Sequence, residues 1–335
     1  MADWFRPRLG LALGGGAARG LAHLGVLAVL EDAGIRVDGV AGTSIGALVG
    51  GVWAATGSAR AATERIIGFI ESDEYRKDEI EFLAGDTGDV GWTERASALI
   101  RKGIVYGWGL FKEAFVSEEA WRHNLAHLVP DVAIEELRVP YVAVASDLRA
   151  GVPAWFVRGS LREAVAASSA VPGLAPPVPG KGVFLVDGGA VEKVPARAAC
   201  SLPVDVVLAV DVAEDFSPGP MLRRGTEILS RAQEVAERVQ RAFLVALADV
   251  AIRPEVTDVH WLDFTGARPA IERGAAAMRD ALPELRAALA RARWRRLFGS
   301  TRAALVRRLE RRGMLGVAPL RMAAPPPRGN GNGKE

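Results

Sequence analysis

Cysteine is almost missing from this chain: Cys200 stands alone among 335 residues, so no intrachain disulfide can hold the fold, and a reducing, cytoplasmic setting is expected. Long apolar runs are missing too. The stretch Leu21 to Leu30 contains His23 and ends at Glu31-Asp32, well short of the roughly 20 residues that cross a bilayer. The N-terminus, Met1 to Arg6, meets its first apolar run only at Leu9 to Leu13, and glycines then break that run, so it does not read as a signal peptide. A soluble or peripheral protein is expected. Two phosphate-binding fingerprints are also absent. In a dinucleotide-binding G-x-G-x-x-G counted from Gly14, the sixth position is Arg19; counted from Gly15, the third is Ala17. No Gly-Lys-Ser/Thr follows the glycines, which excludes a P-loop.

Half of the residues are apolar, enough for one large core, and residues 1–290 are expected to form a single α/β unit. A basic amphipathic helical segment over 291–322 and a disordered Pro/Gly tail over 323–335 complete the expected organisation. Net charge is only +2, but it is unevenly placed. From Arg291 onward twelve cationic side chains face Glu310 and Glu335, a surplus of ten, so the rest of the chain carries −8. An acidic partner suits such a tail, and an anionic membrane surface meeting residues 291–312, with Trp294 and Phe298 inserted, is expected rather than nucleic acid.

Strand and helix signals alternate from the start, the pattern of a parallel sheet with right-handed crossovers. The apolar spacing predicts strands at Arg8 to Leu13 and Val37 to Ala41, and helices at Leu21 to Leu30 and Ser44 to Ala55. Further strands are predicted at Val139 to Ala145, Ala154 to Val157, Val183 to Val186, Val204 to Val210 and Val259 to Phe264. Helices are predicted at Leu161 to Ser168, about Leu222 to Ile252, and Ile271 to Ala290. The second of these spaces Ile228, Ala232, Val235, Val239, Phe243, Leu247 and Val250 to give one buried face. Residues 59–136 read as irregular helices with Trp92, Trp108, Phe111, Phe115 and Trp121 among charges, either a cap over the sheet edge or ordinary packing.

Two glycine-rich turns carry the chemistry. Gly42-Thr43-Ser44-Ile45-Gly46 lies between a strand and a helix, where flanking glycines permit a tight turn that presents the Ser44 hydroxyl at the carboxyl edge of the sheet. Gly14-Gly15-Gly16-Ala17-Ala18-Arg19-Gly20 can turn successive N–H groups toward one point, making Gly15, Gly16 and Ala17 the candidate oxyanion donors. Arg19 either orders this loop or meets an anionic substrate. A nucleophilic serine requires a base, and Asp187, ending a strand beside Gly188-Gly189, is the first candidate. An unperturbed aspartate titrates about three units below an ideal base at neutral pH, so a direct Ser–Asp pair needs burial or strong oxyanion stabilisation. The order Ser44, Asp187, His260 leaves a conventional triad open. His123 and His127 have a zinc-pair spacing on an expected helix, but Asn124 stands where zinc-dependent hydrolysis would place glutamate. His23 reads as a structural histidine on a helix face.

Together these blocks resemble the patatin-like phospholipase family, its bacterial members and the neuropathy target esterase-like catalytic domain in particular. The resemblance covers roughly Arg8 to Ala290 and rests on Gly10 to Gly20, the Gly42 to Gly46 turn, Ala167-Ser168-Ser169-Ala170-Val171-Pro172-Gly173, and Val186-Asp187-Gly188-Gly189. It implies a three-layer α/β/α fold with a mostly parallel central sheet, a Ser44–Asp187 dyad, an oxyanion loop supported by Gly14, Arg19 and Gly20, and no catalytic histidine. It also implies hydrolysis of phospholipid or lysophospholipid esters through an acyl-enzyme, without metal or cofactor. Gly42, Gly46, Gly188 and Gly189 would shape the two turns. The sequence departs from the pattern at Ala17, where many relatives have glycine, and at Glu192-Lys193, where asparagine is usual. Acyl transfer to another alcohol, or a regulatory partner-binding role with a weak site, are the alternatives the residues leave open.

Overall fold

The computed structural model describes residues 6–73, 75, 116–180, 182–214, 216, 222–264, 267–297 and 318–326. Its strands are β1 (Leu9–Leu13), β2 (Val37–Thr43), β3 (Tyr141–Asp147), β4 (Val152–Gly159), β5 (Val178–Gly180), β6 (Val183–Asp187), β7 (Val206–Val210), β8 (Val250–Ile252) and β9 (Leu320–Ala324). The helices are α1 (Ala22–Asp32), α2 (Ile45–Thr56), α3 (Ala59–Ile70), α4 (Glu118–Leu128), α5 (Leu161–Ser168), α6 (Gly189–Glu192), α7 (Ala196–Ser201), α8 (Gly225–Val245) and α9 (Ala267–Leu297).

The strands form one mixed, mostly parallel sheet in the order β5-β6-β3-β2-β1-β7-β8, with β4 on β3 and β9 on β4. Alternation along each strand divides the interior into two apolar clusters, one per face. Leu9, Leu11, Leu13, Val40, Leu208 and Val210 face the thicker layer of α1, α2 and α9. Ala12, Ala41, Val142, Val144, Val207 and Ala209 face a thinner layer that includes α7 and the buried Cys200. The central strands are buried on both sides, which is why they read as continuous apolar runs. Helices α1 and α9 cross at glycines: a Cβ on Gly25 would lie 1.9 Å from the Ile271 carbonyl oxygen, and one on Gly274 1.9 Å from that of Ala22.

Strand β3 positions the site. On one side it carries β4 from Ala143 to Asp147. On the other it pairs in parallel with β2 up to Val144, opposite Thr43, and then antiparallel with β6 from Ala145, opposite Asp187. The two partners therefore lie end to end along one side of β3, with their carboxyl ends meeting.

Several expected elements differ. The run Val259 to Phe264 is not a strand; it is a loop whose carbonyls serve the glycine loop, Ala18 N–H donating to Trp261 O at 2.9 Å and Arg19 Nε to Val259 O at 2.9 Å. The edge strand is β8 instead, so the long helix stops at Val245 rather than Ile252, and its apolar face is exposed, not buried. Helix α9 runs through position 290 without a break, carrying Pro283 inside it. Leu320 to Ala324, expected partly as helix and partly as disordered tail, form β9, paired in parallel with β4. Residues 298–317 and 327–335 lie outside the described residues. So do 76–115, which hold most of the possible cap, including Trp92, Trp108, Phe111 and Phe115. No helix among the described residues is long and apolar enough to cross a membrane.

Candidate active site

Ser44 occupies the junction between β2 and α2 with φ 56° and ψ −125°, a conformation that costs a non-glycine residue about 1–3 kcal/mol. Neighbouring glycines make the turn feasible by close approach. A Cβ on Gly42 would lie 2.4 Å from the Gly46 carbonyl oxygen, and one on Gly46 2.0 Å from that of Leu13. The Ser44 carbonyl starts α2, accepting from Ala47 N–H at 2.8 Å and Leu48 N–H at 3.1 Å. Its side chain makes no capping bond, so the hydroxyl is left for other chemistry.

Asp187 reaches the same place from β6. Its backbone is fixed on two sides, Ser146 Oγ donating to Asp187 O at 2.8 Å and Asp187 N–H to Ala170 O at 2.8 Å. Its carboxylate accepts Gly189 N–H on Oδ1 at 2.6 Å, while buried Oδ2 has no closed hydrogen bond among the described residues. Burial raises the Asp187 pKa above the ordinary carboxylate value; Lys193, the nearby Ser44 hydroxyl and Gly189 N–H oppose the rise without cancelling it, and Glu237 adds to it. The carboxylate is thereby a stronger base than a solvated aspartate. Lys193 Nζ is itself held 3.5 Å from Glu237 Oε1. The acid limb of kcat/KM is therefore expected above the ordinary aspartate range. Lys193→Met should move that limb to higher pH, and Glu237→Gln to lower pH, in rate profiles measured on a soluble ester.

Sequence reasoning assigned no role to Ser168, although it lies in one of the blocks that carried the family resemblance. It is fully buried, its Oγ accepts Ser44 N–H at 3.0 Å and donates to Val144 O at 2.6 Å, and its carbonyl accepts Gly188 N–H at 3.3 Å. One residue thus ties the serine turn and the aspartate turn to β3. Ser168→Ala leaves two buried polar groups without their bridge and is expected to cost about 1–3 kcal/mol of stability. Below the melting range, kcat should fall with KM little changed, and inactivation by a fluorophosphonate should slow in parallel. An unaltered inactivation rate would reduce Ser168 to a packing residue.

The glycine loop is held from below. Gly14 N–H donates to Val210 O at 3.0 Å, and the Gly14 carbonyl meets His23 Nε2 at 2.8 Å. Burial lowers the His23 pKa to about 4, so it is neutral near pH 7 and donates through Nε2. One expected oxyanion donor is already engaged: Gly15 N–H donates to Lys193 O at 2.9 Å. Gly16 and Ala17 remain, with Ala17 at φ 48°, the left-handed conformation that glycine would adopt more easily. The Glu192-Lys193 departure is accommodated by both main chain and side chain, since Thr43 Oγ1 donates to Glu192 O at 2.7 Å and Trp155 Nε1 to Glu192 Oε1 at 3.0 Å. Arg19 is buried and paired with Glu214 at 3.0 Å, which favours loop ordering over substrate contact. Gly20 abuts Ile45, and Gly188 abuts the Val144 carbonyl, where a Cβ would lie 2.2 Å from the oxygen.

The remaining histidines sit elsewhere. His260 Nδ1 faces Leu262 N–H at 3.4 Å in the 253–264 loop. His123 and His127 are exposed on α4, and His127 stacks on Phe69 at 5.5 Å. Among the described residues no group of three or more potential ligands could hold a metal ion.

Fold and site together define an α/β protein built around a strained serine turn at the carboxyl edge of its sheet. The chain belongs to the patatin-like phospholipase family, whose family model matches residues 11–200. An uncharacterized NTE family protein of Mycobacterium tuberculosis is 34% identical over 206 residues, covering 62% of this chain and 49% of its own length. A second is 31% identical over 301 residues, covering 82% and 46%. Patatin-like phospholipase domain-containing protein 7 of Mus musculus is 30% identical over 206 residues, covering 61% of this chain and 13% of its own. The chain spans about half the length of the mycobacterial relatives it matches. Among solved structures, VipD from Legionella pneumophila shares 15% identity at a TM-score of 0.40, covering 83% of this chain and 67% of its own, a likeness too distant to bear on the site.

Proposed function

We propose that the chain is a serine carboxylester hydrolase acting on phospholipids or lysophospholipids through a Ser44–Asp187 dyad. The observation that carries this reading is the end-to-end meeting of β2 and β6, which brings an uncapped, strained serine to a buried carboxylate of raised pKa. Asp187 takes the Ser44 proton as Oγ attacks the ester carbonyl, and the N–H groups of Gly16 and Ala17 receive the developing oxyanion. Collapse breaks the ester C–O bond, the departing alkoxide takes the proton from Asp187, and the acyl group stays on Ser44. Water then gives its proton to Asp187, attacks the acyl-enzyme and releases the fatty acid, and the proton returns to Ser44. An anionic membrane surface is the proposed partner of the basic stretch 291–312, of which 291–297 are described and Trp294 is 66% exposed.

The test is fluorophosphonate labelling of the full chain with peptide mapping. A single adduct on Ser44, formed with the pH dependence of a raised aspartate, is expected. Labelling at another serine would overturn the dyad, and absence of labelling in folded protein would overturn it and favour the partner-binding alternative.

A further inference from the structure

Helix α8 is amphipathic in the wrong sense for a globular core. Ile228, Ala232, Val235, Val239 and Phe243 recur at spacings of four, three, four and four, which places them on one stripe. That stripe faces outward: Ile228 is 51% exposed, Val239 52% and Phe243 73%. The charged side faces inward. Arg241 is buried, 3.5 Å from Asp211 Oδ1 and 3.3 Å from the Glu214 carbonyl, and Glu237 is the partner of Lys193. Polar contacts therefore seat the helix and turn its apolar side away from the protein.

An exposed apolar stripe on a helix about 30 Å long marks an interaction surface. Its border identifies the partner. The guanidinium groups of Arg231 and Arg238 lie 3.6 Å and 5.2 Å from the ring centre of Phe216 along one side, where Arg231 also pairs with Glu234 at 2.8 Å, and the stripe itself contains no carboxylate. Apolar residues bounded by arginine and an aromatic ring match the acyl boundary and phosphate level of a lipid surface. The inner face is also one ion pair from the dyad, since Lys193 lies beside Asp187 and accepts Gly15 N–H through its carbonyl.

We propose that α8 docks flat on an anionic lipid surface, with Val239 and Phe243 among the acyl chains and Arg231 and Arg238 at the phosphates, an inference that rests on the lipid-hydrolase reading for its choice of partner. This contact is separate from the basic stretch that begins at Arg291.

Co-sedimentation of the full chain with phosphatidylcholine–phosphatidylglycerol vesicles tests the proposal. Val239→Glu and Phe243→Glu should each lower vesicle partitioning about tenfold or more, and both together should abolish it. Turnover of a water-soluble short-chain ester should be unchanged in both. The milder pair Val239→Ser and Phe243→Ser, checked by circular dichroism, guards against misfolding and should show the same order of effect. Wild-type sedimentation that the double variant retains would overturn the proposal. So would a stripe variant that converts a dimer to monomers while still binding vesicles, because the stripe would then be a contact between copies. A wild type that hydrolyses no ester yet loses vesicle binding with the stripe would support docking and sink the hydrolase reading alone.

Discussion

Asparagine at position 187 is expected to reduce kcat/KM about ten-thousandfold while leaving the folded protein no less stable at neutral pH. The loss of rate follows from removal of the only carboxylate that β6 delivers to Ser44. The stability expectation comes from the same burial that makes Asp187 a useful base. Its pKa in the folded chain is raised above the ordinary 3.8, so the unfolded chain releases this proton more readily than the folded one. Below the unfolded pKa the carboxyl is protonated in both states and costs nothing. As pH rises from the unfolded value to the folded one the cost of burying the group grows, and it is complete above the folded value. The melting temperature of Asp187→Asn relative to wild type should therefore be near zero difference in acid and positive at neutral pH. Asparagine keeps an oxygen for Gly189 N–H, and its amide can donate toward Ser44 Oγ. A variant that melts lower at every pH would show that the carboxylate stabilises the fold.

Position 44 should separate chemistry from strain. Ser44→Ala and Ser44→Gly are both expected to lose about ten-thousandfold or more in kcat and all fluorophosphonate labelling. Only the glycine variant should gain stability, by about 1 kcal/mol over the alanine variant, because φ 56° with ψ −125° is open to glycine and strained for any side chain. Glycine also loses more freedom on folding, which keeps the gain small. Differential scanning calorimetry at one pH decides it. Equal melting of the two variants would mean that the turn stores no strain.

The serine turn was legible because every element of it is local: an apolar strand, two glycines and an apolar helix within twenty residues. Asp187 was legible as the polar end of a buried run. The state of Gly15 was not, because its N–H is taken by a carbonyl 178 positions away, brought near by packing rather than by pattern. Periodicity correctly announced α8 but could not say which face turns inward; ion pairs to Lys193 and Asp211 decide that. The apolar run Val259 to Phe264 has strand composition, yet its backbone carbonyls serve Ala18 and Arg19 instead of a ladder. Strand β9 carries no strong signal of its own, since a parallel neighbour more than 150 residues upstream creates it.

The shared side of β3 makes the meeting of Ser44 and Asp187 a vernier for the sheet. Asp187 meets Ser44 only while Ala145 and Val144 take successive partners, and a slip of one residue in β6 would turn the carboxylate to the opposite face. A chain misassembled at β6 would therefore present Ser44 without the Asp187 carboxylate beside it. Register in this part of the sheet is thus a condition on the site as well as on the core.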